Sequence, residues 1–165
     1  MTLQIKLATM RDAAQLVKLH TAVAEHLTEQ FGVGAWSSKT SEKGVLYALR
    51  NMKVYVVRDE REIVATLRLA TKKPWAIDTS YFTPCKKPLY LLNMAVVPNR
   101  QRQGIGRWCL AEAVKLAKDW PAEAIRLDAY DAQAGAGEFY ARCGYKERGK
   151  ATYKNTPLIY YEMMI

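Results

Sequence analysis

An apolar run that leads directly into a glycine-containing loop restricts the fold of this chain more than any other feature. The run covers residues 89–97, interrupted only by Asn93, and Pro98 ends it. A strand that reads as a nearly continuous apolar segment is covered on both faces, so this run predicts a buried strand. After the loop, apolar residues recur at helical spacing and Pro121 ends the pattern; they are Ile105, Cys109, Ala113, Leu116 and Trp120.

The other elements are predicted from changes of hydrophobic period and from cap signals. Strands are expected over 3–7, 53–58, 62–70, 124–130 and 158–163, and helices after the caps at Thr9 and Ser41 and over 132–143. Only one strand–helix–strand crossover joins parallel strands, and it should be right-handed. The sequence therefore predicts an α/β fold with a mixed central sheet of six to seven strands, flanked by about four helices. A length of 165 residues fits a single domain, 1–165.

The last predicted helix, 132–143, contains two glycines, and each weakens a helix by about 1 kcal/mol relative to alanine. Gly135 and Gly137 therefore need a compensating role. That role is either close backbone approach to a bound cofactor or close packing of the helix. Asp131 is read as the N-cap residue of this helix.

Composition excludes several classes of protein. Half of the residues are hydrophobic and a quarter are charged, which is typical of a globular domain. No apolar stretch approaches the roughly 20 residues that span a bilayer, so we expect no membrane partner. The N-terminal residues show no export signal, and we expect a cytoplasmic protein. The net charge of +9 favours an anionic ligand through its long-range field.

Metal binding is not expected. The chain has three widely spaced cysteines and two histidines, with no short spacing that would gather ligands. Cys85, Cys109 and Cys143 are read as reduced core thiols.

The loop at residues 101–106 has the composition of an anion site. It lies between a buried strand and the start of a helix, where free backbone N–H groups and the positive end of the helix dipole attract phosphate. Gly104 and Gly106 let an anion approach, and Arg100, Arg102 and Arg107 add charge. The alternative is a tight strand-to-helix turn that needs glycine only for its φ angle.

Two other phosphate-binding patterns fit poorly. A P-loop needs Lys and then Ser or Thr after its last glycine, but Arg107 and Trp108 follow here. A dinucleotide fingerprint needs a third small residue where Cys109 stands, although Asp128 lies at the distance of the ribose-binding acid.

Two linked motifs resemble the GNAT superfamily of acetyl-CoA-dependent N-acetyltransferases. The strand ending at Pro98 and the pattern Gln101-x-x-Gly104-x-Gly106 resemble its acyl-CoA signature, Q/R-x-x-G-x-G/A. Downstream, the family pattern A-x-x-L-Y-x-x-x-G-F is matched by Ala136, Phe139, Tyr140, Gly144 and Tyr145. The resemblance implies acetyl-CoA as cosubstrate, with no metal, and a small-molecule or peptide amine as acceptor.

The resemblance also assigns cofactor-binding residues. It implies that the main chain of Met94, Ala95 and Val96 pairs with the pantetheine arm. It implies further that the pyrophosphate is bound by the backbone amides of Arg102, Gln103, Gly104, Ile105, Gly106 and Arg107. A frequent asparagine of the family, seven residues before Tyr140, is Gln133 here, which puts its cofactor contact in doubt.

Acetyl transfer from a thioester to an amine needs a base for the ammonium and an acid for the leaving thiolate. A phenol matches the basicity of a thiolate, and the resemblance makes Tyr140 that acid, beside the coenzyme sulfur; the alternative is an aromatic anchor for its helix. Asp128 is the candidate base, on the strand 124–130. The alternatives for Asp128 are an ion pair with Arg126 or a capping role, with ordered water as the base.

Rival functions stay open at this point. The chain could be a non-catalytic acyl-CoA-binding sensor or partner module. Nucleic-acid binding is suggested by net charge alone, and we expect no nucleic-acid partner because the basic residues are scattered. The acceptor amine is not identified by the sequence, and a homodimer is one assembly kept open.

Overall fold

The computed structural model describes Met1–Ile165 and contains seven strands and four α-helices. The strands are β1 (Leu3–Leu7), β2 (Lys53–Asp59), β3 (Glu62–Ala70), β4 (Pro88–Val96), β5 (Ala124–Tyr130), β6 (Lys146–Tyr153) and β7 (Thr156–Met164). The helices are α1 (Ala13–Phe31), α2 (Glu42–Asn51), α3 (Ile105–Asp119) and α4 (Gly137–Arg142). The strands form one sheet in the order β1-β2-β3-β4-β5-β7-β6. The predicted mixed sheet with about four helices is confirmed.

Strand pairing follows the predicted topology. β1 with β2, β2 with β3, β5 with β7 and β6 with β7 are antiparallel pairs. β4 and β5 are parallel, and their ladder covers only Pro88–Tyr90 against Ala124–Arg126.

The chain divides into two compact units. Unit 1 comprises Met1–Leu69 and Leu92–Glu112, and unit 2 comprises Ala70–Leu91 and Ala113–Ile165.

The core of unit 1 lies between the first two helices and the β2–β3 hairpin. Leu16 and Leu19 of α1 join Val45 and Ala48 of α2 over Val54 and Val56 of β2. Local signals set the helix ends. The Thr9 N–H donates to Asp12 Oδ2 at 2.9 Å, and Ser41 Oγ accepts from the Gly44 N–H at 3.0 Å. Gly32 ends α1 at φ +82°, a conformation that glycine adopts without strain.

Unit 2 packs an irregular segment against the β5–β7–β6 part of the sheet. Ile77 and Phe82 are buried with Tyr90 and Tyr160. A buried ion pair joins Arg126 Nε to Glu162 Oε2 at 3.1 Å, and Arg126 Nη2 donates to the Thr83 carbonyl at 2.6 Å. The proline-containing stretch after β3 therefore packs against the sheet through Ile77 and Phe82.

Two predictions about local structure are wrong in part. β4 is buried only over Leu89, Tyr90 and Leu91; Asn93 is exposed with φ +48°, which breaks the regular strand. Complete burial is therefore limited to the part of β4 before this irregularity.

The last helix begins at Gly137, not at residue 132. A turn precedes it, in which the Gly135 N–H donates to the Ala132 carbonyl at 2.9 Å. Ala136, not Asp131, is its N-cap residue, and Asp131 instead lies 3.7 Å from Lys150 Nζ. Both glycines serve close packing: an added Cβ would overlap the Tyr130 carbonyl oxygen at Gly135 and the Tyr161 hydroxyl at Gly137.

None of the helices combines the length and the apolar character that crossing a bilayer requires.

Candidate active site

The second half of β4 offers main-chain groups at a partly open position. Met94, Ala95 and Val96 are half-buried, and Ala95 packs against the core cluster of unit 1. Side chains alternate along a strand, so Met94 and Val96 face away from that cluster. The Val96 carbonyl accepts a hydrogen bond from Gln101 Nε2 at 3.0 Å. Gln101 therefore fixes the start of the loop to the end of β4, a role that the motif alone does not reveal.

The loop after β4 carries a run of free backbone donors. Arg102 has φ +62° and Gly104 has φ +83°, so the chain turns through the left-handed region twice before α3. The first bond of α3 runs from the Trp108 N–H to the Gly104 carbonyl at 3.0 Å. The N–H groups of residues 102–107 donate to no protein acceptor. Successive free amides at a helix N-terminus bind anions.

The three arginines near this loop have different roles. Arg100 Nη2 lies 2.7 Å from Asp59 Oδ2, so it ties the loop to the β2–β3 turn. Asp59 has a pKa below its ordinary value, first because of its hydrogen bond with Arg100. Arg102 and Arg107 are exposed and make no ion pair, so their charge is available to a ligand. Of the three arginines predicted to add charge to the loop, Arg100 is therefore largely neutralised by Asp59.

Asp128 lies on β5 in unit 2, between the buried residues Leu127 and Ala129. Its carboxylate has no hydrogen bond or ion pair with the protein, and burial raises its pKa. Arg126 is paired with Glu162, so the alternative of an Arg126–Asp128 ion pair does not hold. A buried carboxylate with a raised pKa is a stronger base than an exposed aspartate, which suits a role in proton transfer.

Tyr140 lies on α4 in the same unit and is 9% exposed. Its ring contacts Tyr145 and Tyr161 at centroid distances of 5.7 Å and 6.2 Å. Burial raises the pKa of Tyr140, and the negative charge of Asp128 raises it further. The phenol therefore remains protonated at neutral pH and can donate a proton. Tyr140 also packs as an aromatic anchor for its helix, and this role is compatible with a role as an acid.

Gln133 lies in the turn before α4 and is exposed, not on a helix as predicted. The sequence analysis did not predict that the backbone of β4 would break at Asn93. Asparagine is enriched among residues with positive φ, and this was the available signal for a break in β4.

A family model for the acetyltransferase (GNAT) family matches residues 20–145. The chain belongs to the GNAT family. This confirms the family predicted from the two motifs and the predicted class of enzyme, an acetyltransferase. The comparison with curated proteins finds no match.

Solved structures share the fold of this GNAT protein at low sequence identity. An acetyltransferase of the GNAT family from Listeria monocytogenes is 17% identical, with a TM-score of 0.76 over 99% of this chain and 95% of the other. The paia N-acetyltransferase from Thermoplasma acidophilum, in complex with coenzyme A, is 16% identical, with a TM-score of 0.72 over 100% of both chains. The yncA protein of Salmonella typhimurium, with its cofactor acetyl-CoA, is 12% identical, with a TM-score of 0.69 over 98% and 93%.

Proposed function

We propose that this GNAT protein transfers the acetyl group of acetyl-CoA directly to a primary amine, of a small molecule or a peptide. The observation that carries the proposal is the run of backbone N–H groups at residues 102–107 without protein acceptors. Six amides, Arg102 and Arg107 form a cationic surface for the pyrophosphate of the coenzyme. On this proposal the main chain of Met94, Ala95 and Val96 holds the pantetheine arm, and Gln133 is a further cofactor contact.

The reaction needs two proton transfers. The amine nitrogen forms a bond to the thioester carbonyl carbon, and the carbon–sulfur bond then breaks. On this proposal Tyr140 gives its phenolic proton to the leaving thiolate, because burial keeps that proton in place at neutral pH. Asp128, or water held by it, takes the proton that the attacking amine loses. The raised pKa of Asp128 makes it a stronger base than an exposed aspartate.

Direct attack is favoured over an acyl intermediate on Cys109 or Cys85. Burial raises the pKa of Cys109 to about 12, so its thiol does not ionise at neutral pH. Burial also raises the pKa of Cys85. A cysteine nucleophile reacts as its thiolate, and neither thiol favours that form.

Calorimetry with coenzyme A, followed by thiol release from acetyl-CoA with a panel of amines, tests the proposal. Tyr140→Phe should lower kcat by about 10²- to 10⁴-fold, the usual contribution of a positioned acid, while coenzyme A affinity stays within about twofold. Tyr145→Phe is the matched control, because the buried Tyr145 hydroxyl has no hydrogen-bond partner. It should keep wild-type turnover.

Each negative result has its own meaning. Wild-type turnover in Tyr140→Phe would remove Tyr140 as the acid. Coenzyme A binding without transfer to any amine would favour the non-catalytic sensor or partner module. No binding of coenzyme A at millimolar concentration would refute the proposed function altogether.

A further inference from the structure

A half-buried arginine without an anionic partner lies on β3. The Arg68 Nε atom is buried and has no hydrogen-bond partner, and the guanidinium makes no ion pair. The other partly or fully buried arginines of the chain have carboxylates. Arg58 pairs with Asp12, Arg100 with Asp59, and both Arg126 and Arg148 with Glu162. Arg68 is therefore an exception to the pattern that this protein itself sets.

Arg68 lies on a side of the sheet where an unpaired charge is unfavourable. Arg68 pairs across the hairpin with Val54, and cross-strand partners share a face of the sheet. Val54 belongs to the apolar cluster under α1, so Arg68 lies on the side of the sheet that this helix covers. A charged group at the rim of an apolar cluster loses hydration, and burial correspondingly lowers the pKa of Arg68.

His20 is a second polar side chain close to Arg68. It follows Leu16 by one helical turn on α1, and Leu16 belongs to the same cluster as Val54. Burial, with the nearby positive charge of Arg68, lowers the pKa of His20 to about 4. The imidazole is therefore neutral at physiological pH, and its ring N–H is a donor that adds no second positive charge. The Arg68 Nε atom beside it donates to no protein acceptor.

Arg68 and His20 lie near the part of β4 that we propose holds the pantetheine arm of the cofactor. The Val97 N–H donates to the Val64 carbonyl at 2.9 Å, which places the start of β3 beside the end of β4. Arg68 lies four residues after Val64 on the same strand. Adjacent strands lie roughly 5 Å apart. A small acceptor could therefore contact Arg68 while its amine lies at β4.

We propose that Arg68 and His20 bind a carboxylate of the acceptor, so that the substrate class is an amine that carries a carboxylate group. The inference rests on the proposed acetyl transfer. A guanidinium forms two parallel hydrogen bonds with a carboxylate, and the imidazole N–H supplies another donor. The bound anion would satisfy the buried Nε atom and neutralise the charge that the fold leaves unpaired.

The test compares each of the common amino acids with its primary amide, using thiol release from acetyl-CoA. The two forms also differ in the basicity of the amine, so the measured quantity is the acid-to-amide ratio of kcat/KM in each variant. Wild type should favour the acid of its best substrate by at least about tenfold, in line with a charge-assisted hydrogen bond. Arg68→Gln should lower that ratio at least about tenfold relative to wild type, mainly through a higher KM for the acid. The control Arg61→Gln removes an equal charge from the exposed turn between β2 and β3 and should keep the wild-type ratio.

Thermal unfolding gives a readout that is independent of turnover. Millimolar concentrations of the preferred acid should raise the Tm of wild type and of Arg61→Gln but not of Arg68→Gln. Without ligand, Arg68→Met should raise Tm by about 2–4 °C, because it removes an unpaired charge while keeping an apolar stem. A fall in Tm with Arg68→Met would mean a structural role and would overturn the inference.

The outcomes separate this inference from the proposed function. Acetylation of amines without any preference for acids over amides refutes the carboxylate site and leaves acetyl transfer intact. An equal preference in Arg68→Gln refutes the role of Arg68. If neither coenzyme A binding nor transfer is seen, the proposed function fails, and the absence of an acid-dependent Tm shift then refutes this inference as well. A larger Tm shift with inorganic phosphate than with any amino acid would overturn the assignment to carboxylates.

Discussion

Gly135→Ala tests why the last helix starts late and how its preceding turn is held. An alanine Cβ at this position would overlap the Tyr130 carbonyl oxygen, lie 2.9 Å from the carbon of that carbonyl and 3.1 Å from the Ala132 oxygen. These neighbours are backbone atoms of β5 and of the turn itself, so no side-chain rotation can relieve the overlap. The turn, or the end of β5, must move.

The expected loss follows from that geometry. Forcing an additional carbon into a packed position costs about 1–3 kcal/mol, and rigid backbone neighbours place this case at about 3 kcal/mol. For a chain of this size, about 3 kcal/mol lowers Tm by about 6–12 °C. Urea unfolding followed by circular dichroism should show the same loss as a lower midpoint with an unchanged slope.

Gly32→Ala provides the matched control. Gly32 has φ +82° but no neighbouring atom within 4 Å of an added Cβ, so the same substitution there meets only the strain of the left-handed conformation. That strain costs about 1–2 kcal/mol. If Gly135→Ala loses no more stability than Gly32→Ala, the overlap with Tyr130 does not control this turn, and the account of the late helix start is wrong.

Three further substitutions probe charge and strain elsewhere. Arg102→Gly should weaken coenzyme A binding about tenfold in calorimetry through loss of one phosphate contact, with Tm within about 2 °C of wild type because glycine fits φ +62°; unchanged affinity would exclude Arg102 from the anion site. Asp128→Asn should raise Tm at pH 7, because burial raises the Asp128 pKa and the folded state therefore disfavours the ionised form. The stability that protonated Asp128 contributes is complete below the unfolded pKa of about 3.9 and is lost as pH rises through the folded pKa, so the Tm gain should shrink toward acid pH; a gain that does not depend on pH would contradict this reasoning. Glu162→Gln leaves Arg126 buried without its counter-charge and should cost about 3–5 kcal/mol, measured by urea unfolding; a loss below about 1 kcal/mol would show that the pair is not important for stability.

The parts of the fold that the sequence predicts well are those with strong local signals. The β2–β3 hairpin combines two alternating segments with a charged turn. Thr9 caps the single turn Met10–Asp12 that leads into α1, and Gly32 ends α1. The late start of α4 depends on Gly135 approaching the Tyr130 carbonyl. The glycines signalled close packing, but hydrophobic period alone could not place the turn.

The candidate site also combines features that are local in the sequence with features that depend on distant residues. Backbone donors at residues 102–107 follow from a glycine loop at a helix start, which is a local property of the sequence. The engagement of Arg100 by Asp59 is not local, because 41 residues separate the two. The sequence therefore located the glycine loop at the start of α3 but could not distinguish Arg100, which is paired with Asp59, from Arg102 and Arg107.

Arg68 shows most clearly what one-dimensional periodicity leaves out. In β3 it alternates with Leu67 and Leu69, a pattern that ordinarily indicates an arginine on the solvent side. Only the cross-strand partner Val54 and the helix above it show that this side is also covered. Arg68 is half-buried, and the burial of its Nε atom without a hydrogen-bond partner costs free energy that a bound anion would offset. No carboxylate of this chain pairs with Arg68, and a ligand anion is therefore the partner that we propose.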